Sequence, residues 1–131
     1  MAPRLDVVGL VVQDMAASLA FYRRLGFTFA DGAEAEGHVE TALSGGLRLI
    51  FDTTEIIHSF NPDWAPPSGD HRVALAFACD SPTEVDELYH ELVAAGYRGH
   101  LVPWNAFWGQ RYASIHDPDG NAIELFANLE S

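Results

Sequence analysis

The order of elements in this chain occurs twice, and that repeat constrains the fold more than any other feature. LDVVGLVVQD followed by MAASLAFYRRLGF in the first half is matched by RVALAFACD followed by SPTEVDELYHELVAAGY in the second. Each copy opens with an apolar, strand-like run that ends at an aspartate, Asp14 or Asp80, and then changes to helical spacing. Met15, Leu19, Tyr22 and Leu25 recur at spacings of four and three, so they line one face of a helix that Asp14 is placed to cap. In the second copy Ser81, Pro82, Thr83 and Glu84 have capping-box spacing, and Val85, Leu88, Leu92 and Ala95 make the apolar stripe. A glycine ends each helix, Gly26 or Gly96, and an aromatic residue follows, Phe27 or Tyr97.

Strand-like runs broken by turns come after each helix. In the first half they are FTFA, HVETAL and GLRLIFDT, with Gly45 and Gly46 marking a tight hairpin. In the second they are the region from Gly99 to Val102, RYASIH and AIELFA, with Asp117, Pro118, Asp119 and Gly120 forming the last turn. The pattern predicts an α+β chain of tandem βαβββ modules, module one over 4–53 and module two over 72–128, together one domain. A repeat of about 60 residues that cannot bury its own sheet alone is expected to pair with its twin. The linker, 54–71, holds three prolines with Phe60 and Trp64, and a disordered linker rarely carries such aromatics, so it is expected to be ordered and to cover the sheet.

Composition narrows the function. A chain of 131 residues with 48% hydrophobic content is long and apolar enough for one packed domain. No apolar run approaches the roughly 18 residues of a membrane span, and MAPRLD lacks the charged start and apolar stretch of a secretory signal, so the expected location is the cytoplasm. The formal charge of −12 with only seven Lys and Arg argues against nucleic-acid partners; an acidic surface would tolerate or attract a cationic ligand, though solubility alone accounts for most of these charges. Cys79 stands alone, which excludes an intrachain disulfide or a multi-cysteine zinc site; within VALAFAC it reads as a buried structural thiol.

Nothing announces a nucleophile. There is no GxSxG elbow and no glycine-rich phosphate loop, and His58, His90, His100 and His116 have no ligand-like spacing, so solvated or capping roles are expected for them. The aromatic residues are the conspicuous group: Trp104, Phe107, Trp108 and Tyr112 fall within nine positions, beside Pro103, Gly109 and Arg111. Some of these rings belong to a core, but a loop that gathers four of them beside an open sheet cannot hide them all, and an apolar surface with a polar rim marks a ligand site.

LVVQDMAASLAFYRRLGF, the second run ending at Asp80 and HDPDGNAIELFA together resemble the glyoxalase, bleomycin-resistance and ring-cleaving dioxygenase superfamily, the vicinal oxygen chelate fold. Metal-dependent members of that family place one ligand on each of four strands. The corresponding positions here are Val7, either Leu49 or Ile50, Ala74 and Glu124, so only Glu124 has a donor. A shift of register at His71 rescues one ligand at most. One carboxylate cannot hold a divalent ion against water, and neither metal nor other cofactor is expected. Glu124 is left hydrogen-bonded inside a cleft, simply partly exposed, or in contact with a ligand.

Within the superfamily the chain is most similar to the mitomycin-resistance and drug-binding proteins of antibiotic-producing actinomycetes, through VVQDMAASLAFYRRLG, HVETALSGGLRLIFDT, FNPDWAPPSGDHRVALAF, AGYRGHLVPWNAFWGQRYASIHDPDGN and LFANL. That resemblance implies a homodimer whose clefts are built from both chains and hold a planar aromatic natural product by ring stacking. Trp108 would be one stacking ring and His38 the other; the ordinary role of a histidine opening an exposed strand is the alternative for His38. Trp104, Phe107, Tyr112, Phe51 and Trp64 would line or cover the cleft, and Arg111, Asp52 and Glu124 would supply polar contacts. The expected function is stoichiometric self-resistance, a metal-free protein holding a mitomycin-like or DNA-intercalating drug, with hand-over to an exporter as a sequel and no catalytic residues. The alternatives are a binding protein for a quinoline or quinoxaline peptide antibiotic or its precursor, and a metal-dependent lyase or ring-cleaving dioxygenase.

Overall fold

A computed structural model describes residues 3–129, which divide into two compact units between Ser68 and Gly69. In the first unit the elements are β1 (Val7–Val12), α1 (Met15–Arg24), β2 (His38–Ala42), β3 (Arg48–Thr53) and α2 (Thr54–Phe60). β3 is the central strand, parallel to β1 and antiparallel to β2. A parallel pair needs a crossover, and α1 with the β2–β3 hairpin provides it. The Asp14 carboxylate accepts from the Ala17 N–H at 3.1 Å and so starts α1. Gly26, at φ 99°, ends it by turning the chain so that the Phe27 N–H returns to the Tyr22 carbonyl at 3.1 Å.

Alternation along β3 sends Leu49 and Phe51 toward α1 and Arg48, Ile50 and Asp52 to the opposite face. Phe51 is fully buried, with Tyr22 at 5.2 Å and Phe29 at 5.6 Å between ring centroids. Burying a ring of this kind contributes roughly 1.5–3 kcal/mol. The expected strand at FTFA is absent, so the first unit is βαββ with a helix appended. The segment's Thr28 carbonyl accepts from the Thr41 hydroxyl, not from a ladder N–H. The 3-10 turn Ala33–Ala35 intervenes before β2, and Glu34 of that turn is held to α1 by both terminal nitrogens of Arg23. A tight hairpin from FTFA into β2 is thereby prevented.

The linker begins as the helix α2, which the residue pattern did not reveal. Thr53 caps it by accepting from the Ile56 N–H at 3.2 Å. TTEIIHSF is poor in strong helix formers; tertiary packing holds it, because Gly37 has no Cβ where Ile56 lies. A Cβ there would meet Ile56 Cγ1 at 2.4 Å. Beyond α2, the Trp64 carbonyl and ring both meet His58, at 2.8 Å and 5.9 Å.

The second unit contains β4 (Ala74–Ala78), α3 (Pro82–Ala94), β5 (Gly99–Ala106), β6 (Gln110–His116) and β7 (Ala122–Asn128), in sheet order β4-β7-β6-β5. β4 and β7 run parallel and the other neighbours antiparallel. Ser81 caps α3 as the sequence predicts, accepting from the Glu84 N–H with Pro82 at the first position, and Gly96, at φ 100°, ends it as Gly26 ends α1. Val85, Tyr89 and Leu92 of α3 are buried, as are Ala113, Ile115, Ile123, Leu125 and Ala127 of the sheet face beneath them. The last turn is built on Asp117, whose carboxylate accepts from the N–H groups of Asp119 and Asn121 and from the Asn121 side-chain amide, at 2.8–2.9 Å.

β5 continues past Val102, where the sequence reading stopped it. Pro103 sits inside the strand because β5 is at the edge of the sheet, where a missing N–H breaks no interior ladder. Its pairing with β6 slips between Gly99 and Leu101 and again between Leu101 and Trp104. PWNAFWGQRY is therefore a β-hairpin and not a loop.

Candidate aromatic binding site

Cross-strand register decides which side chains share the face of the second sheet that α3 leaves uncovered. Tyr112 on β6 lies opposite Trp104 on β5 and Phe126 on β7; Ser114 lies opposite Glu124, which in turn pairs with Ala76 on β4. Directly paired residues project to the same side, so Trp104, Tyr112, Ser114, Glu124, Phe126 and Ala76 form one surface. Trp108 enters from the turn of the hairpin, which Gly109 closes at φ 91°.

The Trp108 ring meets Trp104 at 5.5 Å and 89°, Phe107 at 5.0 Å and 87°, and Tyr112 at 5.3 Å and 76°. Edge-to-face contacts of this type contribute roughly 0.5–1.5 kcal/mol each beyond burial. Its Nε1–H donates to Gln110 Oε1 at 2.8 Å, and the Gln110 amide donates to Asn128 at 3.3 Å. The ring is thus oriented by four neighbours, yet 47% of Trp108 remains exposed, with 39% of Trp104 and 90% of Phe107. Ordered rings left open to solvent are preorganised for stacking, since little side-chain freedom remains to be lost on binding.

Glu124 supplies the polar contrast. Burial first, then the nearby Glu124 charge, push the Tyr112 phenol above its ordinary value. His116 lies at the far end of the same face, its ring stacked on His100 at 5.1 Å; burial first, then the neighbouring His100 and Arg98, lower its basicity.

In the first unit His38 stands on the face of the sheet opposite α1. It is directly paired with Asp52 and shares that face with Glu40, two residues along its own strand. Nδ1 lies 2.5 Å from Asp52 and Nε2 2.8 Å from Glu40, while Arg48 carries the alternation of charge onward to Glu40 and Asp6. Only a protonated ring donates from both nitrogens, and the hydrogen bonds to Glu40 and then Asp52 raise the His38 pKa. The spacing His-x-Glu in a strand was the available signal for this network, and sequence reasoning missed it, as it missed the Gln110–Asn128 brace and the Tyr112–Glu124 link.

Two expected contributors belong elsewhere. Phe51 is core: it is adjacent to Asp52 in β3, so the two point to opposite faces, and Phe51 takes the side buried under α1. Arg111 also faces the helix side, donating through Nε and one terminal nitrogen to both carboxylate oxygens of Asp86 on α3 and through the other to Asn105. Trp64 packs on His58 in the linker, and Phe107 projects from the hairpin turn.

A family model described as Glyoxalase/Bleomycin resistance protein/Dioxygenase superfamily matches residues 4–125. The chain belongs to that superfamily. The described residues, with two sheets and three α-helices, are consistent with its vicinal oxygen chelate fold. This superfamily member is similar to a glyoxalase/bleomycin resistance protein/dioxygenase from Nocardioides, at 28% identity and TM-score 0.75 over 100% of this chain and 87% of that one. A family enzyme from Burkholderia phytofirmans, 22% identical, shares the fold at TM-score 0.81 over 97% of this chain and 100% of that one. A glyoxalase-related enzyme from Fulvimarina pelagi, 24% identical, does so at 0.79 over 97% and 89%. No curated protein matches the chain.

The metal positions of the superfamily do not fit an ion in this member. Val7 and Ile50 share one face of the first sheet, and Ala74 and Glu124 one face of the second; Val7, Ile50 and Ala74 carry no lone pair, and a divalent ion needs three or more donors. Among the described residues no group of three His, Cys, Asp or Glu side chains is arranged to hold one.

Proposed function

We propose that this protein binds a planar aromatic natural product of the mitomycin or DNA-intercalating kind and gives resistance by holding it, without breaking a bond. The observation that carries the reading is Trp108, held in orientation by Trp104, Phe107, Tyr112 and Gln110 yet half exposed. An indole so held offers a stacking surface, and stacking on an aromatic side chain is worth about 1–3 kcal/mol per ring and tolerates many ring systems. The absence of donors at Val7, Ile50 and Ala74 counts against a metal-dependent lyase or dioxygenase.

In this reading Trp108 is the stacking ring of the second unit and His38 that of the first, with the drug shielded in a homodimer. The likeness of PWNAFWGQRY and HVETAL to mitomycin-resistance proteins supports both assignments. Tryptophan-fluorescence titration with mitomycin C, a bleomycin and a quinoxaline peptide tests it. Saturable quenching by at least one planar drug, lost in Trp108→Ala, is the expected result; no quenching by any of them, or equal binding by the variant, defeats it. A quinoxaline peptide that binds in preference to mitomycin C reassigns the ligand and keeps the stacking site.

A further inference from the structure

We propose that the open face of the second sheet selects a cationic planar ligand, with Glu124 as its counter-charge. This rests on the aromatic-site reading above and goes beyond it by giving the ligand a charge. Glu124 is the one acidic residue among the side chains that strand register places on that face, and it stands among Ala76, Ser114, Phe126 and Tyr112. It is partly buried. The Tyr112 phenol feels its charge, and among the described residues no arginine forms an ion pair with it. The chain has no lysine to do so either, its seven cations all being arginines.

A carboxylate offers about four acceptor positions, and Glu124 is only partly buried, so water reaches it. Set among Ala76, Phe126 and Tyr112 it is less screened than a fully exposed acid, so a ligand N–H or cation that reaches it gains more than the same contact gives there. The rings act in the same direction. The faces of Trp104, Trp108 and Tyr112 attract a cation through their quadrupoles, independently of any carboxylate. His116 competes little with that charge, because burial first, then the neighbouring His100 and Arg98, lower its basicity. A delocalised cation on a flat ring satisfies the stacking surface and the carboxylate together; a neutral ring satisfies only the first.

Equilibrium dialysis of the full chain with 9-aminoacridine, a cation at neutral pH, and acridine, its largely uncharged parent ring, tests the assignment. The wild type is expected to hold the cation about tenfold more tightly, the scale of one charge-assisted hydrogen bond, with a preference that shrinks as salt is raised. Glu124→Gln, shown by thermal melting to be folded, is expected to lose most of that preference and keep only the part the ring faces give a cation. Equal affinities in the wild type, a comparison that needs no variant, overturn the charge assignment alone, as does a preference that is undiminished in Glu124→Gln. Failure of both acridines to bind overturns the aromatic-site reading as well.

Discussion

The imidazole Nδ1 of His38 lies 2.5 Å from the Asp52 carboxylate across the β2–β3 pair, while Nε2 faces Glu40 at 2.8 Å. Glu40 first and Asp52 second stabilise the imidazolium and raise the pKa from 6.5. A raised folded-state pKa means that His38 contributes its full stabilisation below the unfolded value and loses it as pH climbs through the folded one. An NMR titration is therefore expected to place the His38 midpoint above 6.5, to lower it in Asp52→Asn, and to accompany a fall in stability over the interval between the two values. A midpoint at or below the unfolded value contradicts the network.

Gly99 opens β5 directly beneath Tyr89, and a Cβ there would lie 2.2 Å from the Tyr89 hydroxyl. Tyr89 is only 7% exposed, so it cannot swing out without leaving the α3 core. Gly99→Ala is expected to cost roughly 1–3 kcal/mol, the range for overpacking, read as a lower urea midpoint. Gly37→Ala, by contrast, presses on Ile56, which is 37% exposed and has room to move, so the smaller loss is expected there. The reverse order sinks this argument.

Burial, then the charge of Glu84, pushes the Cys79 thiol up to about 11. Thiolate is the reactive form, so alkylation by iodoacetamide is expected to be slow at pH 7.5 and still rising steeply between pH 9 and 10. A rate that levels off near pH 8.5 refutes that environment, and would reopen Cys79 as a reactive group.

Much of this fold is legible in the residues because its helices carry their own boundaries. Asp14 and Ser81 accept from N–H groups in the first turns they precede, and Gly26 and Gly96 take positive φ values where the helices end. The misreadings occur where distant partners decide. FTFA has strand composition, but the Arg23–Glu34 pair and a 3-10 turn deny it a hairpin. α2 lacks helical propensity and depends on the missing side chain of Gly37. Pro103 reads as a strand end until the sheet order shows β5 at an edge.

In the site, the cluster around Trp108 was visible as composition, and the hairpin supplies the reason it is exposed and oriented. Phe51 and Arg111 were misplaced for a different cause. Adjacent strand residues cannot share a face, so Phe51 and Asp52 had to part, and Arg111 had to face away from Tyr112. Parity along the strand held that information; which parity meets the helix did not follow from composition.

Isothermal titration calorimetry of the purified chain with mitomycin C, repeated on Trp108→Ala, bears most directly on the proposal that the protein stacks a ligand and holds it without turning it over. The expected record is heat that saturates and returns to baseline after every injection, with affinity falling roughly ten- to a hundredfold in the variant, the range for losing one stacked ring. Heat that persists as steady power after each injection, the signature of turnover, or a variant that binds as tightly as the wild type, would contradict it.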